Sequence, residues 1–140
     1  HNVPREEIND RIESLIEKFD LSECAHQRVN RISLKSKCRL ALARAFVHDP
    51  QVMLFDDPTH GDDIVMVKEI HTFIKECKDN GKTVVVFSNR VSEIHRLSDR
   101  IGILIDGSMA EQGTGKEICE ALEVRTLDDA FMLLYDGGNE

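Results

Sequence analysis

Apolar residues recur at helical spacing from the start of the chain. Ile8, Ile12, Leu15, Ile16 and Phe19 share one side of a helix predicted over residues 4–19, and Pro4 suits its first turn. Residues 20–32 lose the period and turn polar. Ser33 then reads as an N-cap. The helix it opens runs to about His48 and carries Leu34, Cys38, Ala41, Leu42, Ala45 and Phe46. Asp49-Pro50 ends it, because proline disfavours helix in the residue before it. Val52 to Phe55 is a continuous apolar run, predicted as a strand buried on both faces as in a parallel sheet. Asp56-Asp57-Pro58 stops it. A helix follows over 64–79, with Val67, Ile70, Phe73, Ile74 and Cys77 on one face, and Asn80-Gly81 is its stop. Thr83 to Phe87 reads as a second buried strand, 91–98 as a short helix and Ile101 to Ile105 as a third strand. Asp106-Gly107 is a hairpin signal, with the return running from Met109 to Gln112. Two short helices, near 115–123 and 127–135, complete the order.

Helices first, then alternating strand and helix, then a hairpin: this order argues for an α/β sheet with right-handed crossovers. Residues 1–48 are expected to form a helical lobe and 49–140 the sheet-bearing part. Composition narrows the class further. No apolar run among the 140 residues approaches the roughly 18 needed to span a bilayer. Net charge is -8, from 26 acidic and 18 basic residues, which argues against nucleic acid as a partner. The one basic cluster, Arg28, Arg31, Lys35, Lys37 and Arg39, reads as a solvated helix start. Cys24, Cys38, Cys77 and Cys119 show no CxxC pairing, so zinc and a disulfide framework are not indicated. Isolated cysteines of this kind fit a reducing cytosol.

The candidate chemistry lies at strand ends. In an open α/β sheet, ligands bind outside the carboxyl ends of the strands. Two such ends are polar here, Asp56-Asp57 and Ser88-Asn89. An apolar strand ending on an acid aims a carboxylate at Mg²⁺, a hard cation that wants oxygen ligands. A second carboxylate beside it can orient or deprotonate an attacking water.

The flanking residues carry a resemblance. Ile32-Ser33-Leu34-Lys35-Ser36, the helix Leu40-Ala41-Leu42-Ala43-Arg44-Ala45, His48-Asp49-Pro50 and the strand ending Asp56-Asp57-Pro58-Thr59 stand in order. Gly61 and Asp63, Gly81-Lys82-Thr83-Val84, Ser98-Asp99-Arg100-Ile101 and Asp106-Gly107 follow, then Gly113-Thr114 and Thr126 to Phe131. This series resembles the ATP-binding-cassette (ABC) transporter ATPases, whose usual strings are LSGGQ, LALARAL, HDP and DEPT. The closing helix is similar to the drug- and sodium-exporter branch. The resemblance implies a P-loop NTPase-like parallel-sheet core, partial here, with an N-terminal helical lobe and a C-terminal β-hairpin plus helices. It implies ATP and Mg²⁺ in a parent assembly, a second ABC ATPase subunit in a head-to-tail dimer, and a membrane permease. The implied location is cytoplasmic, peripheral to the membrane through that permease. Residue by residue, Ser33 falls at the signature segment, with Lys35 and Ser36 beside it. Asp56 falls at the Mg²⁺-holding aspartate and Asp57 at the catalytic glutamate. Asp63 falls at the aspartate of the loop joining the dimer halves, and Asn89 at the switch histidine.

The departures are as specific as the matches. The phosphate loop GxxxxGK[ST] is absent; Gly113-Thr114-Gly115-Lys116 has the wrong spacing and reads as a turn into a helix. The glutamine loop that would precede this segment is also missing, so the chain is expected to start partway through the domain. Leu34 and Lys35 stand where the signature has glycines, whose lack of a side chain allows close backbone approach to phosphate. Asp57 is one methylene shorter than Glu, a displacement of about 1 Å that can cost roughly 100-fold in rate. Asn89 can donate a hydrogen bond but cannot become a cation. His60 reads as a surface-turn residue rather than a replacement base. The reading that follows is a partial ABC ATP-binding subunit, weakened in catalysis and unable to hold ATP alone. The alternative is a non-catalytic module that pairs with an intact ABC ATPase. In either, sheet edges and apolar faces beside the strands at 52 and 84 are expected to be exposed, favouring self-association or rearrangement.

Overall fold

A computed structural model describes residues 4–59 and 64–137. The chain divides into two compact units, residues 1–52 and 53–140.

The first unit is helical. A 3₁₀ turn at Arg5–Glu7 leads into α1, Ile8–Lys18. The stripe read from the sequence is only half covered, since Leu15 and Phe19 are buried while Ile8 and Ile12 stay exposed. Two more 3₁₀ turns, Ser22–Cys24 and Val29–Arg31, carry the chain to α2, Leu34–Phe46. Ser33 caps α2 as expected: its Oγ accepts from Ser36 N–H at 3.0 Å. Arg39 pairs with Asp20, and Lys18 Nζ sits 5.1 Å over the Phe46 ring. Asp49 takes a φ of +49° just before Pro50, the break that this dipeptide signals.

The second unit holds the strands. β1, Val52–Asp56, pairs with β2, Thr83–Phe87. Asp57 N–H donates to Phe87 O at 2.8 Å, so the carboxyl ends of the two strands lie together and the pair is parallel. The crossover between them is α3, Ile64–Asp79, which buries Met66, Ile70, Phe73, Ile74 and Cys77. Gly81, at φ +76°, lets the chain leave α3 and turn back into β2. α4, Val91–Leu97, leads on to β3, Ile101–Ile105. β3 pairs antiparallel with β4, Ser108–Gly113, across the Asp106-Gly107 turn, where both residues have positive φ. The register shifts after Ile103, so Ala110 is the extra residue of a bulge. Thr114 closes the hairpin with a capping box to Glu117 and starts α5, Gly115–Ala121. α6, Leu127–Gly137, follows. Ile101 and Ile103 pack with Ile118, Leu127 and Ala130 in one cluster.

Two expectations need correction. β1 and β2 are not buried on both faces. Met53 and Phe55 are buried, with Phe55 edge-on to Phe73 of α3, while Val52 is 57% and Leu54 70% exposed. Val85 and Phe87 of β2 are exposed too. A helix covers one face of this pair, and a continuous apolar run cannot reveal that the other face lacks a cover. Nor does β3 continue the β1–β2 sheet: among the described residues the strands form two separate two-stranded sheets.

The cluster around Ile118, which is 1% exposed, should set the stability of the second unit. Ile118→Ala is expected to lower its unfolding free energy by about 2–5 kcal/mol in denaturant titration. Leu133→Ala, at a half-exposed site on α6, should change it by less than about 0.5 kcal/mol.

Candidate functional site

β1 and β2 deliver the candidate residues to one edge. Because Asp57 N–H bonds Phe87 O, Asp56-Asp57 emerges beside Ser88-Asn89. All four line one cavity of about 880 Å³. Asp56 is exposed at the end of its strand. Asp57 is half-buried, with Oδ1 shielded from solvent, and has φ +41°. That left-handed conformation is rare for residues with a side chain, though aspartate tolerates it better than most. The chain therefore turns sharply at Asp57.

What holds these loops is a buried carboxylate that sequence reasoning missed. Glu93, on α4, is 6% exposed. Its Oε1 accepts from Thr59 Oγ1 at 2.7 Å and from His71 Nε2 at 2.6 Å. Its Oε2 accepts from Ser88 Oγ at 3.0 Å. Arg90 completes the ring: Nη1 donates to Thr59 Oγ1 and the backbone N–H to Ser88 Oγ. One carboxylate thus ties the loop after β1, helix α3, the end of β2 and its own helix. Thr59 is two residues from Asp57, and Ser88 and Arg90 flank Asn89, so the network clamps the chain around each candidate residue. Burial pushes the Glu93 carboxyl up, but hydrogen bonds from His71, Thr59 and Ser88, with the His71 charge, outweigh it and hold the pKa below the ordinary value of 4.5. Two signals pointed here. His71 falls on the apolar face of α3, between Val67 and Ile74, and Glu93 adjoins Ile94 on a short helix whose apolar residues face the core.

Ser33, Lys35 and Ser36 are at the start of α2, in the first unit. There Ser33 Oγ already accepts the Ser36 N–H, and Leu34 is 78% exposed. Asp63 and His60 lie outside the described residues. No group of three His, Cys, Asp or Glu residues among the described ones is placed to hold a metal. Mg²⁺ does not need such a group, since it keeps most of its waters and takes one or two carboxylates. Gly113 to Lys116 is the strand end and capped helix start expected of it. Among the described residues no helix is long and apolar enough to cross a membrane.

The lowered Glu93 pKa fixes the sign of a pH effect. A carboxyl with a folded pKa below its unfolded value stabilises fully above the unfolded value, and that stabilisation fades as pH falls through the folded one. Stability of the second unit should therefore drop below about pH 4.5. Glu93→Gln should cost about 1–3 kcal/mol at neutral pH, because Gln cannot accept all three donors. It should also flatten the acid limb of a stability-against-pH curve; an unchanged limb would show that Glu93 does not carry it.

Comparison with known proteins agrees with the motifs. The family described as ABC transporter matches residues 1–60. The ABC transporter ATP-binding protein NatA of Bacillus subtilis is 31% identical over 132 residues, covering 94% of this chain and 54% of that protein. The arginine transport ATP-binding protein ArtM of the same organism is 34% identical over 119 residues, covering 83% of this chain and 50% of its own length. A solved structure of an ATP-binding subunit of an ABC transporter superposes with a TM-score of 0.80 at 20% identity, over 95% of this chain and 56% of that one, which shows the fold. The chain thus spans about half the length of these relatives. The ordered motifs, the relatives and the shared α/β fold place this chain in the ABC transporter ATP-binding subunit family.

Proposed function

We propose that this chain is the carboxyl-terminal portion of an ABC ATP-binding subunit, weakened in hydrolysis, whose parent assembly couples ATP to membrane transport. The observation that carries the reading is the bond from Asp57 N–H to Phe87 O, which sets Asp56-Asp57 beside Ser88-Asn89 at the strands' carboxyl edge. The resemblance to the family supports a role for each of those positions. Asp56 would hold Mg²⁺ through water, and the ion supplies charge neutralisation on phosphate oxygens. Asp57 stands as a short base and Asn89 as a neutral hydrogen-bond donor towards phosphate. Ser33, Lys35 and Ser36, at the start of α2, would face nucleotide held by a second ATPase subunit, through helix N–H groups. Asp63 would serve the junction of the two subunits. A permease would hold the assembly at the cytoplasmic side of the membrane.

The weakening follows from what the residues can do. Ser33 Oγ occupies the Ser36 N–H, and the Leu34 and Lys35 side chains crowd the approach where glycines would leave space. The left-handed turn at Asp57 aims a shortened carboxylate. Neither feature prevents a role in pairing with an intact ATPase, which remains the second reading.

Calorimetric titration tests the proposal. Mg-ATP should bind this chain no tighter than millimolar, with no turnover above background. Micromolar binding that Asp56→Ala abolishes would contradict it.

A further inference from the structure

The turn from α3 into β2 carries chemistry of its own. Asn80 is the one asparagine of the chain that a glycine follows. Both residues are exposed. An asparagine side-chain amide is an electrophile within reach of the next backbone nitrogen, and attack closes a succinimide ring. Glycine has no Cβ to shield that nitrogen. The space around Gly81 is open too: apart from its chain neighbours, no heavy atom stands within 4 Å of where a Cβ would lie. Hydroxide and water therefore reach the turn.

The fold holds this pair in a form that does not react. Gly81, at φ +76°, is the left-handed residue of a Schellman cap. Its N–H donates to Lys78 O at 2.8 Å, and Lys82 N–H donates to Cys77 O at 3.0 Å. Asn80 Nδ2 donates to Glu76 O at 2.7 Å, the carbonyl that also accepts the Asn80 N–H at 3.0 Å. Ring closure needs the Gly81 nitrogen deprotonated and turned towards Cγ. The cap instead ties the attacking nitrogen and the leaving nitrogen separately to the last turn of α3.

We propose that Asn80 is a self-deamidation site that the α3 cap keeps closed. When the last turn frays, hydroxide takes the freed Gly81 N–H proton. The nitrogen bonds Asn80 Cγ, the Cγ–Nδ2 bond breaks, and Nδ2 takes a proton from water and leaves as ammonia. Water then opens the succinimide at either carbonyl, giving an aspartyl or isoaspartyl linkage. The net reaction consumes one amide and one water and yields one carboxylic acid and one ammonia, with no redox partner. Neither product rebuilds the cap. Both lose the Nδ2 donor to Glu76 O, and the new charge joins Asp79 at a helix carboxyl end, where negative charge is unfavourable. The isoaspartyl form also adds a methylene to the main chain where α3 leads into β2. The inference stands apart from the proposed function, because it uses neither nucleotide nor any candidate site residue.

The test incubates the chain without nucleotide in mildly alkaline buffer, both native and unfolded in guanidinium chloride. The peptide containing Asn80 is followed by mass spectrometry, and isoaspartate is counted with an isoaspartyl methyltransferase. The unfolded chain should convert at Asn80 before any other asparagine, and the native chain at least about tenfold more slowly. Hydrogen exchange of the Gly81 amide should be slowed on folding by a similar factor, because both reactions need that one N–H freed from Lys78 O. Gly81→Ala should slow conversion in guanidinium chloride, where the cap is absent and the added Cβ alone acts. An unfolded chain that keeps Asn80, or that loses another asparagine first, would overturn the site. Equal rates in the native and unfolded chain would overturn the lock, as would exchange and deamidation factors that differ by more than about tenfold.

Discussion

The strand-end loops of the second unit depend on one buried acid. Glu93 loses hydration on folding, a cost that a carboxylate recovers only by accepting several good hydrogen bonds. It finds them on Thr59, His71 and Ser88, which come from three different segments. The requirement works in both directions. Three buried or half-buried donors need an acceptor, so neither loop can move without leaving a polar group unsatisfied. The positions of Asp57 and Asn89 thus follow from a charge that touches neither of them. The Asp57–Phe87 backbone bond sets which strand ends meet, and the Glu93 ring fixes the loops beyond them.

This arrangement separates two things that a motif string joins. The Glu93 ring that holds the strand-end loops reaches from Thr59 to Arg90. The residues that resemble the family's usual strings depart from them, with Asp57 for Glu, Asn89 for His, and Leu34 and Lys35 for glycines.

Local signals made most of the elements legible. Ser33 as a cap, Asn80-Gly81 as a stop and Asp106-Gly107 as a turn all act through their own backbone, within four residues, and each appears where the sequence put it. Burial was less legible. Val52 to Phe55 is apolar throughout, yet only Met53 and Phe55 are covered, because cover depends on neighbours far along the chain. Glu93 escaped for the same reason. Its partners lie 34, 22 and 5 residues away, a separation that no periodic pattern encodes. The placement of Asp56, Asp57 and Asn89 at one edge was legible because each ends a strand or follows one.

The claim that Glu93 couples the two strand-end loops is tested most directly by a double-mutant cycle between Thr59→Val and Ser88→Ala, read as unfolding free energy. Their hydroxyls meet on opposite oxygens of one carboxylate and are bridged by Arg90. The account predicts a coupling of about 1 kcal/mol or more between them. Effects that add within about 0.5 kcal/mol would show that the loops are held independently, and would contradict it.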